Sequence, residues 1–291
     1  MNDFFDLNCF LLDPERQLPK EASKDHVRTW LEYKIDVLKD NEGRKVKDPD
    51  ASKDARKFYE KIWKDFLEES GLSLRPEASS LSKNPEQYVQ GDWMCSVATT
   101  FGKGLSVFVN GDKELKNLFR NKFPKKKLRG GVGGYNTYAE ILIDDMKSDE
   151  QKFQKFWGDE VVQNFIRSAY TFANLIIVPY GFNAARDTLG EDGTEDYWDL
   201  TLKKFYQDKE PLTSGGYDLA TPFRKLLKKN QEQGDPLFLS PWIDEQGNPI
   251  LLPDSPRENK ANWRSAMAEM TTRIDCRREL MAQYIDQLQN E

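Results

Sequence analysis

The stretch Val161–Val178, with the sequence VVQNFIRSAYTFANLIIV, is the most apolar part of the chain. Its apolar residues recur at spacings of three and four, which is the period of an α-helix. They cover more than one face, so the spacing predicts a helix that is buried on most sides. Pro179 and Gly181 end this predicted helix. We therefore expect the remaining elements to pack around Val161–Val178.

Two further apolar stripes have helical period. One is Phe58–Leu67, and the other is Trp263–Leu288, which follows a capping box at Ser255–Glu258. Trp93–Val109 carries β-branched residues on both sides of Phe101–Gly104, a pattern that predicts a β-hairpin. The fold class that we predict is α+β and mainly helical. It is a single compact unit built around a buried central helix, with one or two small β-hairpins.

The length of the chain bears on its domain organisation. It has 291 residues, which is enough for one large domain or two small ones. No internal repeat and no sharp change of composition divides it. Residues 72–90 are rich in Ser, Pro and charge, and are predicted to be a long loop that is the best position for a weak boundary. We predict a single domain over residues 1–291.

The composition limits the classes of function and location. The formal net charge of -6 gives no general attraction to nucleic acid or to an anionic membrane surface. No apolar run approaches the length of a membrane span, and the first residues lack the pattern of a secretion signal. The three cysteines form no CxxC pair, which is typical of free thiols in a reducing compartment. These observations predict a soluble cytoplasmic protein.

His26 is the only histidine in the chain. Catalytic triads and histidine-based zinc sites need histidine in a defined setting, so any catalysis must rest on other side chains. His26 lies among charged residues, and we predict that it is exposed at the start of a helix. The sequence indicates no cofactor.

A polar turn follows the central stretch and supplies the candidate site. Asn183 and Arg186 lie in this turn, and Asp199 lies between two apolar residues of a later predicted helix. If Arg186 and Asp199 both face inward, they must be paired, because a lone buried charge costs several kcal/mol. One alternative is a structural ion pair, which is the commoner use of such residues. The other is a pocket in which Asn183 and Arg186 bind an anion and Asp199 orients them.

The chain resembles a bacterial family of unknown function through motifs in two regions. In the first region, an Asp-Pro-Asp-x-Ser turn precedes a helix with Tyr and Ile-Trp. The matching residues are Asp48–Ser52, Tyr59 and Ile62–Trp63.

In the second region, a buried helix ends in an Asn-x-x-Arg turn, and an aromatic-Asp-Leu-Thr-Leu helix then leads to Tyr and Pro-Leu. The matching residues are Asn183 and Arg186, then Trp198–Leu202, Tyr206 and Pro211–Leu212. The chain departs from the family pattern at Asp187, where glycine is usual, and at Trp198, where Phe is usual. The resemblance implies no reaction, but it gives weight to Asn183, Arg186 and Asp199.

Three functions are consistent with the sequence. The first is a binding or interaction protein whose polar pocket at Asn183, Arg186 and Asp199 takes a small anionic molecule. The second is a metal-dependent hydrolase or nuclease that uses the carboxylates of Asp144, Asp145 and Asp199, since two-metal chemistry works without histidine. The third is a structural partner in an oligomer, and the sequence does not fix the oligomeric state.

Overall fold

A computed structural model shows how these segments are arranged. It describes residues 6–11, 25–31, 49–76, 87–126, 128, 135–182, 185, 197–206, 211–214, 217–252 and 263–290.

Helices make up most of the described structure. Their bounds are α1 Lys53–Ile62, α2 Lys64–Ser70, α3 Val97–Gly111, α4 Lys113–Lys122, α5 Tyr135–Met146, α6 Gln154–Trp157, α7 Glu160–Ala169, α8 Trp198–Tyr206, α9 Ala220–Glu232 and α10 Trp263–Asn290. Residues 26–31 are also helical. Among the described residues, no helix combines the length and the apolar composition that a membrane span requires.

The strands form one small sheet and one hairpin. The strands are β1 Ser73–Leu74, β2 Tyr88–Trp93, β3 Leu175–Pro179, β4 Thr213–Ser214 and β5 Tyr217–Asp218. β2 is the middle strand of the sheet, parallel to β1 and antiparallel to β3, and β4 pairs with β5. The prediction of a mainly helical α+β fold with a small hairpin is therefore confirmed.

The prediction of one long helix over Val161–Val178 is wrong. Only α7 is an α-helix, and β3 follows it after a single 3-10 turn. The hydroxyl of Thr171 donates to the Ser168 carbonyl, and the side-chain amide of Asn174 donates to the Ala169 carbonyl. In a continued helix these carbonyls would accept from backbone amides, so the two polar side chains compete with the helix. Leu175–Val178 then forms a strand buried on both faces, which a continuous apolar run also permits.

The predicted hairpin over Trp93–Val109 is also wrong, because α3 occupies most of this segment. Ser96 caps this helix by accepting from the Thr99 amide. Gly104, which the sequence places in a turn, lies against α10. A Cβ at Gly104 would be 3.0 Å from Cε of Met267, so the glycine serves close helix packing. Tertiary packing here outweighs the β preference of the branched residues.

A buried guanidinium joins α10 to the centre of the fold. Arg277 is fully buried, and its Nη1 donates to the carbonyls of Ala173 and Leu175, the latter at 2.7 Å. Its Nη2 donates to the Leu237 carbonyl at 3.1 Å. Burial lowers the pKa of Arg277 to about 9, and nearby Asp235 opposes this shift, so the side chain stays charged at neutral pH. The arginines Arg273, Arg277 and Arg278 of this segment are predicted from the sequence to form a solvated basic face, and this prediction is wrong for Arg273 and Arg277, which are buried.

Replacing Arg277 is expected to destabilise the whole fold. Arg277→Met removes charge-assisted hydrogen bonds and leaves buried carbonyls without their donors, at a cost of about 3 kcal/mol or more. Arg278→Met is the matched control, since Arg278 pairs with Asp275 near the surface and such pairs contribute less than about 1 kcal/mol. Urea unfolding of both variants measures the free energies. Equal losses would show that Arg277 has no special role.

The N-terminal segment packs against α7 near His26. The Leu11 amide donates to the Tyr170 carbonyl at 2.7 Å, and the Phe10 ring meets the His26 ring edge-on, with centroids 5.1 Å apart. His26 is therefore partly buried, and the prediction of an exposed histidine is wrong. Partial burial is the main cause that lowers the pKa of His26. Arg167 lowers it further, and Asp25 opposes the shift.

Because the folded state lowers the pKa of His26, the fold favours its neutral form. The stabilising contribution is complete above the unfolded value of about 6.5 and is lost as the pH falls below it. His26→Phe keeps an aromatic ring beside Phe10 and removes the proton site. We expect the melting temperature of the wild type, relative to the variant, to fall between about pH 7.5 and about pH 5. All other titrating groups are common to both proteins, so a constant difference would contradict this assignment.

Candidate ligand-binding cleft

Asp199 lies inside the protein at the start of α8. It is fully buried, and its Oδ2 accepts from the Leu252 amide at 2.9 Å. The neighbouring Trp198 donates from its indole nitrogen to the Trp93 carbonyl at 3.0 Å. The backbone of Tyr197 forms an isolated antiparallel β-bridge with that of Cys95. Asp199 therefore holds the backbone of Leu252 close to the end of β2.

Asn183 and Arg186, the other two residues of the predicted pocket, lie outside the described residues. The described neighbours Phe182 and Ala185 are both buried. Tyr180 lies beside the start of β2, because its amide donates to the Tyr88 carbonyl at 2.9 Å. Asp199 lies near the other end of that strand. The two ends of β2 are five residue steps, or about 17 Å, apart. A pair between Arg186 and Asp199 stays a prediction.

The carboxylates proposed for a metal site each have a protein partner. Oδ2 of Asp144 is 2.6 Å from Nζ of Lys122. Oδ1 of Asp145 accepts from the Phe153 amide at 3.0 Å, and burial raises the pKa of Asp145. Within the described ranges, no group of three or more His, Cys, Asp or Glu side chains is placed to hold a metal ion.

A cleft of about 270 Å³ lies between the start of α1 and the β1–β2 edge of the sheet. We call it the Arg56 cleft. Its lining residues come from three segments of the chain: Asp50, Ala51, Ser52, Arg56 and Tyr59; Leu74, Arg75 and Pro76; and Val89, Gln90 and Gly91. The parallel pairing of β1 with β2 brings the second and third segments together.

Two arginines are held at this cleft by contacts with the surrounding fold. Arg56 donates from Nη1 to the Arg75 carbonyl, and its Nε is 2.9 Å from Oε1 of Glu60. The guanidinium of Arg75 lies over the Tyr180 ring, 4.4 Å from its centroid. A cation over an aromatic face is attracted by the ring quadrupole, which favours a flat orientation of the Arg75 fork.

One wall of the Arg56 cleft is the ring of Tyr59. Its hydroxyl donates to the Asp50 carbonyl at 2.9 Å, and its ring stacks on Trp63 with centroids 5.7 Å apart. Burial and the nearby carboxylates of Asp50 and Asp92 raise the pKa of Tyr59, so the hydroxyl is neutral at physiological pH. A Cβ at Gly91 would lie 2.0 Å from the Tyr59 hydroxyl, which makes glycine necessary for this approach.

Sequence reasoning missed Arg56, Arg75 and Gln90. Arg56 lies on the polar side of an apolar stripe that the sequence predicts correctly, where arginine is an ordinary surface residue. Residues 72–90 are predicted to be a loop, whereas β1 and the start of β2 lie within them. The only usable signal is the Asp48–Ser52 motif, whose described residues Asp50 and Ser52 line the cleft.

No family model, no curated protein and no solved structure matches the chain. This result is consistent with membership of an uncharacterised family, as the resemblance implies. The candidate site therefore rests on the geometry of the chain itself.

The contact between Gly91 and Tyr59 can be tested directly. We expect Gly91→Ala to destabilise the protein by about 1–3 kcal/mol, because the added methyl group forces Tyr59 out of its position. Gly111→Ala is the matched control. A Cβ at Gly111 meets no atom within 4 Å, and alanine is favoured over glycine in a helix, so its stability should be unchanged or higher. Thermal unfolding compares the two variants, and a neutral Gly91→Ala would contradict the tight contact.

Proposed function

We propose that the chain is a binding protein that holds a small anionic ligand in the Arg56 cleft. The observation that carries the proposal is the state of the Arg56 guanidinium. Two of its nitrogens are engaged by Glu60 and by the Arg75 carbonyl. Its Nη2 has no hydrogen-bond partner among the described residues, and the Arg56 side chain is 31% exposed to solvent. A fixed, charged donor thus lines a cleft that is open to solvent.

Arginine suits this task for a physical reason. Its planar fork matches carboxylate and phosphate groups, and a charge-assisted hydrogen bond is about twice as strong as a neutral one. The contacts of Arg56 with Glu60 and Arg75 hold the fork before a ligand arrives, which reduces the entropy lost on binding.

The pocket that the sequence predicts at Asn183, Arg186 and Asp199 is a second position for the same function. Asp199 is fully buried and holds the Leu252 amide, which favours a supporting role for this residue over direct contact with a ligand. The Arg56 cleft is open to solvent in the described part of the chain, so it is the better first target.

A metal-dependent hydrolase or nuclease that uses Asp144, Asp145 and Asp199 is the alternative function. The contacts of Asp144 with Lys122 and of Asp145 with Phe153 compete with metal binding at these carboxylates. A divalent cation would have to displace Lys122 from Asp144. Stabilisation by Mg²⁺ or Mn²⁺ would therefore favour this alternative.

The test is a thermal-shift assay with small anionic metabolites, and with Mg²⁺ and Mn²⁺ in parallel. We expect an anion to raise the melting temperature of the wild type saturably, since a ligand at 100 times its Kd stabilises by about 2.7 kcal/mol. Arg56→Ala should abolish the shift. Lys57→Ala, which changes the next residue, a largely exposed one, should keep it.

Arg56→Ala also changes the stability of the free protein. The quantity compared between the wild type and each variant is therefore the rise in melting temperature that the ligand causes. A shift that survives in Arg56→Ala would contradict binding in the Arg56 cleft. Stabilisation by a divalent cation alone would contradict the binding function in favour of the metal-dependent alternative.

A further inference from the structure

We infer that the ligand of the Arg56 cleft is a small monocarboxylate of the size of an amino acid or dipeptide, and not a phosphate ester or nucleotide. The inference rests on the proposed function and specifies its ligand. Three properties of the cleft support it: the balance of charge around Arg56, the donors that remain there, and the volume.

In the described part of the chain, acids offset the positive charge at the cleft. Arg56 and Arg75 line it with two positive charges, while Asp50 lines it with a negative charge and Glu60 contacts Arg56 at 2.9 Å. Asp92, another acid, is buried and close enough to Tyr59 to raise its pKa. A ligand with several negative charges would meet more acids than bases among these described residues, and like charges at short range disfavour binding. A single carboxylate meets its partner in Arg56 with the least repulsion.

The remaining donors of the cleft match one carboxylate and one further polar group. The Nη2 of Arg56 is the charged donor without a partner in the described structure. Gln90 contributes an amide side chain that makes no hydrogen bond within the described residues, although its backbone pairs with Val178. An amide both donates and accepts, so it suits the amino, hydroxyl or peptide group beside a carboxylate. Val89 and Leu74 give the cavity an apolar surface for the carbon atoms of such a ligand.

The volume of the cleft suits a small ligand. A cavity of about 270 Å³ equals the share of about nine liquid water molecules. It lies just below the range of roughly 300–1,000 Å³ that is usual for drug-sized ligands. An amino acid or dipeptide fits such a space, whereas most of a nucleoside triphosphate would remain outside.

The experiment compares matched probes by calorimetry and thermal shift on the full chain. The probes are L-alanyl-L-alanine, its C-terminal amide, inorganic phosphate and ATP. We expect saturable binding of the dipeptide. The amide lacks the negative charge, so it should bind about tenfold more weakly or not at all, which is the loss expected for a charge-assisted hydrogen bond. Phosphate and ATP should bind no better than the amide.

Two variants locate the binding. Arg56→Ala should abolish the dipeptide signal, and Gln90→Leu should weaken it about fivefold, as expected for loss of a neutral hydrogen bond. Lys57→Ala should leave it unchanged. Binding of phosphate or ATP in place of the dipeptide, dependent on Arg56, would overturn the carboxylate assignment and leave the anion-binding function standing. Absence of binding by every probe, or binding that survives in Arg56→Ala, would overturn both.

Discussion

The fold depends on a single guanidinium in the middle of the protein. Arg277 extends from α10 and donates to the carbonyls of Ala173 and Leu175, which lie where the chain enters β3, and to the carbonyl of Leu237. The carbonyls of Ala173 and Leu175 lie at the start of β3 and that of Leu237 lies after α9, and all three residues are fully buried. A buried carbonyl without a donor costs about 1–3 kcal/mol, so one side chain from α10 satisfies groups that the sheet leaves unpaired. α10 therefore cannot separate from the sheet without exposing both the charge and the carbonyls.

The same guanidinium is linked to the Arg56 cleft through two aromatic rings. Arg277 lies 6.0 Å from the centre of the Trp63 ring, and Trp63 donates from its indole nitrogen to the Pro236 carbonyl. Trp63 stacks on Tyr59, and Tyr59 forms the wall of the cleft against Gly91. One wall of the cleft is thus packed directly against the buried core. The ligand that we propose beside Arg56 would meet side chains already held by their contacts, which lowers the entropy cost of binding.

The sequence predicts the helical stripes and the fold class, because apolar periodicity records which faces are buried. It does not predict where the central stretch changes from helix to strand. At that change, Thr171 bonds to the nearby Ser168 carbonyl, whereas the Asn174 side chain bonds both to the nearby Ala169 carbonyl and to the amide of Cys95, 79 residues away in the chain. The glycine at position 104 misled the prediction in a similar way. Its role is set by Met267, a residue far away in the chain, and no local pattern contains that information.

The candidate cleft shows why the motifs of the resemblance and the proposed binding residues differ. Ser52 caps α1 by accepting from the Ala55 amide, the carbonyl of Asp50 receives the Tyr59 hydroxyl, and Trp63 reaches Pro236. Each of these motif residues has a structural task that shapes the cleft. Arg56 is not part of the motif, yet it supplies the charged donor. Because Arg56 is partly exposed, its replacement would alter the proposed binding site while the fold stays the same, which is the arrangement expected when function lies in a site carried by a stable fold.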